Sequence, residues 1–197
     1  MSQSSETLTA IQNAHLKEMH ELCKRATAET HELFSGKSEE QLQWKSAPAT
    51  WNILECIAHI NRASELYHPR IKQAIETARE KDLRNDAPFK PSWFGKMFIG
   101  MIVPESKRRI KTTSIFKPKE IHYDSSVKDQ LLAFVAEMKQ FTQDADGYEL
   151  NTRMIYSPAT RLIRFSIGEA IWLMTVHNLR HIQQARNLSL LDDFPAA

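Results

Sequence analysis

His177 and His181 stand four residues apart in Thr175-Val176-His177-Asn178-Leu179-Arg180-His181-Ile182-Gln183-Gln184, inside a segment with no Gly or Pro between Glu169 and Leu191. On a helix, positions i and i+4 lie on one face, one turn apart. Two imidazoles placed that way can grip one metal ion. Such pairs also arise by chance on solvated faces. Here the pair shares its face with Leu173, Met174, Ala185 and Leu188, which argues for an inward stripe. Buried imidazoles need partners for their ring nitrogens, and a metal ion answers that need directly. A third imidazole, His59, sits in the apolar-periodic stretch that begins at Trp51. Alone, His59 reads as a core histidine bonded to a nearby oxygen. Beside the pair, it reads as the third ligand. Cys56, one turn earlier, reads as a small core residue rather than a ligand. His15 reads as a core or edge residue of the first helix.

Three neutral imidazoles leave a divalent ion with its full charge and at least one open position, which is the catalytic type of site. Such a centre lowers the pKa of a water or thiol and polarises carbonyls. Imidazole suits zinc, nickel, manganese and iron alike. For hydrolysis, the nearest carboxylates in sequence are Glu55 and Glu169. Glu169 already has a structural role in the capping box Ser166-Ile167-Gly168-Glu169.

Long helices must carry these residues. Apolar spacing predicts a first helix from about Thr7 to Phe34, ended by Gly36. Ser38-Glu39-Glu40-Gln41 reads as a capping box opening a short turn. Thr50 is the expected N-cap of a second helix from Trp51 to about Lys81, kinked or broken near Tyr67-His68 by Pro69. Four prolines break the periodicity of residues 85–119, leaving a short helical piece around 93–103. A third helix follows Asp124-Ser125-Ser126 and closes at Gly147; residues 148–165 read as a linker. The fourth helix carries the His stripe and a second stripe, Trp172, Val176, Leu179 and Ile182, read as further core or a subunit interface, with a homodimer favoured. The expectation is an all-α chain: a four-helix bundle with a long crossover between helices 2 and 3, of the kind that holds metal sites between facing helices.

The bulk numbers fit one domain over residues 1–197, with its core at about 7–188 and a basic crossover at about 85–120. A net charge of +2 does not point to nucleic acid. Charge is concentrated locally: residues 90–119 hold eight basic side chains against one carboxylate, Glu105. The plain reading is a solvated basic edge; the sharper one is a docking surface for an anionic ligand. No fingerprint of a nucleic-acid-binding module accompanies it. Two cysteines make no disulfide framework, and the N-terminus lacks the features of a signal peptide, so a cytoplasmic setting is expected. The longest apolar run, residues 93–103 with Lys96 inside, is too short to cross a bilayer.

Three pieces together resemble the DinB/YfiT-like superfamily of small bacterial metal-binding four-helix proteins. One is Trp44, the Pro48 turn and the helix entry Trp51-Asn52-Ile53-Leu54-Glu55-Cys56-Ile57-Ala58-His59. Another is Ile167-Gly168-Glu169 opening the last helix. The third is the closing His177-x-x-x-His181-x-x-Gln184. The resemblance covers roughly residues 7–188. It implies a divalent metal, zinc or nickel foremost, on His59, His177 and His181. It implies a small-molecule substrate and the activity of a transferase or isomerase using a low-molecular-weight, anionic thiol. A metal-dependent hydrolase and a non-catalytic metal-binding or anion-docking module are the alternatives. Arg180, Lys107, Arg108 and Arg109 are then the candidates to hold the thiol's carboxylates.

Overall fold

The computed structural model describes residues 10–106, 111–119 and 122–196. Among these residues, six helices and one hairpin appear in the order α1 (Ala14–Phe34), α2 (Glu39–Gln43), α3 (Ile53–Glu80), α4 (Trp93–Gly100), α5 (Ser126–Asp144), β1 (Arg153–Ser157), β2 (Thr160–Ser166) and α6 (Ile167–Leu188). A short 3-10 turn, Ser114–Phe116, precedes α5.

Most helices start where a side-chain oxygen can take orphan amide protons. Asn13 caps α1, accepting from the amides of His15 and Leu16. The Asp146 carboxylate takes the amides of Gln12 and Asn13, tying this start to the end of α5. The helix therefore begins at Ala14, later than the expected Thr7; residues 7–9 lie outside the described residues. Ser38 and Ser166 form the two expected capping boxes. In α3 the cap is Asn52, in a reciprocal box with Glu55, and not Thr50. The Thr50 hydroxyl instead donates to the Ala47 carbonyl and accepts from the Ala47 amide, closing the turn before the helix.

Pro69 does not break α3, which runs continuously to Glu80. Proline costs a helix one backbone bond. The long apolar face of α3, packed against both α5 and α6, offsets that loss. Arg70 adds a bond from its guanidinium to the Leu66 carbonyl beside the proline.

The larger correction concerns residues 148–165, expected as a linker in an all-α chain. They fold into an antiparallel hairpin with Ile155 opposite Phe165 and Tyr156 opposite Arg164. Ile155 and Phe165 are buried, while Arg161, Leu162 and Arg164 face outward. The strands pack on α3 and α6.

The four long helices surround one core: α1 lies against α5 and α6, and α3 lies against α5 and α6. Leu16, Ile57, Ile60, Leu131, Met138 and Met174 are among its buried side chains. Val176, Leu179 and Ile182, from the second stripe of α6, are buried within this chain and are core. No helix among the described residues is long and apolar enough to cross a membrane.

Candidate metal centre

Helices α3 and α6 pack closely along their length, and their contact brings His59 to His177 and His181. The ring centroids lie 5.0 Å apart for His59 and His177, 4.4 Å for His59 and His181, and 4.6 Å for His177 and His181. One ring nitrogen from each lies within 4.8 Å of the others. Among the described residues this is the sole group of three or more His, Cys, Asp or Glu side chains close enough to hold a metal ion.

Two rings are oriented by their second nitrogen. His59 Nδ1 donates to the Phe116 carbonyl at 2.7 Å, and His181 Nδ1 donates to Gln184 Oε1 at 2.9 Å. Each leaves Nε2 as a lone pair. Outer hydrogen bonds of this kind fix the tautomer and aim of metal-binding histidines. His177 is the unsatisfied member. Its Nε2 sits 3.2 Å from His59 Nε2, and its buried Nδ1 has no hydrogen-bond partner among the described residues. Two imidazole nitrogens at about 2.0–2.1 Å from a tetrahedral ion stand about 3.3 Å apart, close to the observed separation. The residues present therefore fit a divalent ion: an ion there turns two facing nitrogens into two ligands.

Burial holds all three rings in the neutral, ligating form. For His177 burial is the main cause, followed by His181, His59 and Arg180, and its pKa falls well below the ordinary histidine value. For His181 burial, then His59, pushes the value down to about 3, against a raising hydrogen bond from Gln184. Burial lowers His59 too, while its bond to Phe116 opposes the shift. Trp51, at the mouth of α3, packs 5.0 Å from the His59 ring and 6.4 Å from His181, giving the cluster an apolar wall.

Other candidates fall elsewhere. Arg180 donates to the carbonyls of Val103 and Ser106, at 2.8 and 3.0 Å, and so fastens the segment after α4 onto α6. Lys107, Arg108 and Arg109 lie outside the described residues. Cys56 is fully buried and not a member of the group, its thiol pushed up to about 12 by burial. His15 stacks on Phe89 at 4.1 Å and donates to the Gly168 carbonyl, near the other end of α6. Both candidate bases have other partners. Glu55 takes the Asn52 amide with one oxygen and Lys45 with the other. Glu169 takes the Ser166 amide with one oxygen and both the amide and hydroxyl of Ser92 with the other, joining the starts of α6 and α4.

Sequence reasoning missed the Phe116 carbonyl and the residue behind it, Arg62, whose Nε donates to the Ile115 carbonyl at 3.2 Å. A backbone carbonyl has no sequence signature. Gln184 was legible, since it stands one helical turn after His181 on the same face.

Residues 22–185 match the family described as the DinB superfamily, most of the chain's length, and the chain belongs to that superfamily. No curated protein and no solved structure matches it.

Proposed function

We propose that this member of the DinB superfamily is a metal-dependent enzyme acting on small molecules, most specifically a low-molecular-weight-thiol-dependent transferase or isomerase. In this reading the chain is one four-helix bundle, with residues 85–120 as its crossover, and His59, His177 and His181 hold a divalent ion, zinc or nickel. The observation that carries it is the convergence of three neutral imidazoles, two of them aimed by hydrogen bonds at Nδ1. A bound ion with three uncharged ligands supplies a Lewis acid able to lower the pKa of a thiol that reaches it.

The protein's own groups supply the rest. Phe116 and Gln184 keep two Nε2 lone pairs directed inward, and Trp51 covers one side, limiting water. Arg180, next to His181 in α6, fixes the chain at Ser106, and the Phe116 carbonyl meets His59. In this reading Lys107, Arg108 and Arg109, nominated by the resemblance and lying outside the described residues, hold the carboxylates of an anionic thiol. Arg180 serves better as an anchor than as a substrate ligand. Thiol transfer is favoured over hydrolysis because Glu55 and Glu169, the two carboxylates that could serve hydrolysis as base or proton shuttle, are both engaged in helix caps.

The test is elemental analysis of the purified protein and of His59→Ala, followed by assay of metal-loaded protein with several thiols and a generic electrophile. Stoichiometric metal lost in His59→Ala, with thiol- and metal-dependent turnover, is expected. Turnover that is full without thiol, or that survives His177→Ala, overturns the reading.

A further inference from the structure

The arginines whose side chains are described differ in their partners. Arg25, Arg62, Arg79, Arg84 and Arg186 each pair with a carboxylate. Among the arginines whose side chains are described, Arg180 is held by two backbone carbonyls, while Arg70, Arg161 and Arg164 have no carboxylate partner, Arg70 giving one bond to the Leu66 carbonyl. Two of them share one groove, and the third shares an aromatic ring with one of those two. Arg70, on the outer face of α3, and Arg161, on β2, line one groove of about 460 Å³ with Tyr156 and the turn Ser157-Pro158-Ala159-Thr160. Arg164 lies over the Tyr156 ring at 4.5 Å, and Arg161 at 5.4 Å. No Asp or Glu occurs in residues 66–75 or 150–168, so no acid in either segment neutralises the groove.

The floor offers a neutral donor as well. Ser157 Oγ accepts from the Tyr67 hydroxyl and from the Ala159 amide, both at 3.3 Å, which leaves its own proton to donate. Guanidinium groups are planar forks that match phosphate oxygens. A dianionic phosphate is best met by more than one cation, and Arg70 and Arg161 in the groove, with Arg164 over the Tyr156 ring, supply them without a carboxylate to displace. None of the three histidines lines this groove.

We propose that the groove between α3 and the β1–β2 turn binds the phosphate group of a small phosphorylated ligand. The concave shape, with cations drawn from two elements around one turn, suits a compact anion better than the extended backbone of a nucleic acid. The inference does not depend on the metal centre.

The test is titration of the full-length, chelator-treated protein with pyrophosphate at fixed ionic strength, followed by calorimetry and by amide shifts in heteronuclear NMR. Saturable binding is expected, with shifts centred on Ser157, Ala159 and Thr160. Arg70→Gln and Arg161→Gln should each weaken it about ten-fold, as loss of a charge-assisted contact does, while Arg25→Gln leaves it unchanged. Both side chains are exposed, so the melting temperatures should stay close to that of the parent. Absence of shifts at the turn in the unsubstituted protein overturns the proposal whatever the variants do. So does equal binding by the Arg70→Gln/Arg161→Gln double variant. A single-stranded oligonucleotide that binds the same arginines more tightly than pyrophosphate, with affinity rising with length, also overturns it in favour of a nucleic-acid strand.

Discussion

Acidification of the metal-free protein should expose the histidine cluster as a stability liability, and His181 sets a measurable part of it. Burial and the neighbouring His59 ring lower its folded-state value to about 3. In the unfolded chain the same side chain titrates near about 6.5. Between these values the unfolded state binds the proton and the folded state does not. The contribution is therefore complete above the unfolded value and is lost progressively as pH falls toward the folded one. At pH 5 the unfolded chain is favoured by about 1.5 pH units, or about 2 kcal/mol, from His181 alone. For a chain of this size that corresponds to about 4–8 °C in melting temperature. The assay is thermal or urea unfolding of chelator-treated protein at several pH values from 7.5 to 5.0, alongside His181→Gln. Glutamine keeps a polar group there and does not titrate. The difference between the two pH slopes reads the His181 ring together with its coupling to His177. The variant should lose about 2 kcal/mol less than the parent over the interval. Equal slopes would refute the account of a buried, neutral imidazole.

Other expectations concern the shell around the ions and helices. Adding zinc or nickel to chelated protein at about one hundred times the dissociation constant should raise stability by about 2.7 kcal/mol; His177→Ala should abolish the rise in a thermal melt. Arg62→Ala should loosen the turn that presents the Phe116 carbonyl to His59, weakening metal affinity about ten-fold by competition with a chromogenic chelator; retention of full affinity would show that the carbonyl does not depend on Arg62. Gly95→Ala should destabilise by about 1–3 kcal/mol in urea unfolding, because an added Cβ would fall 2.1 Å from Glu169 Oε1, the oxygen that holds Ser92.

Local sequence logic and global packing divide the work. The helix-forming segments were legible because an apolar stripe at a period of 3.6 has few other solutions, and Ser38 and Ser166 announced their caps through a Gln or Glu three residues on. Periodicity could not choose between Thr50 and Asn52, since both can cap; the turn at Ala47 engages the Thr50 hydroxyl and leaves the Asn52 amide oxygen to cap. Nor did it reveal the hairpin, whose strands are short and whose turn contains no glycine; burial of Ile155 and Phe165 against α3 and α6 made those residues strands. In the same way Val176, Leu179 and Ile182 were apolar in the sequence without saying whether a neighbouring helix or a second copy covered them.

By itself, the sequence determined that His177 and His181 share a face of a helix, because four residues make about one turn of any α-helix. It also nominated His59 through the resemblance of its surroundings. Only the tertiary structure decided that the three rings meet, that burial keeps them neutral, and that Phe116, fifty-seven residues from His59, aims one of them. The physical reason is range. Helical spacing is a property of neighbouring residues, whereas a ring's protonation and direction depend on what the whole chain packs against it.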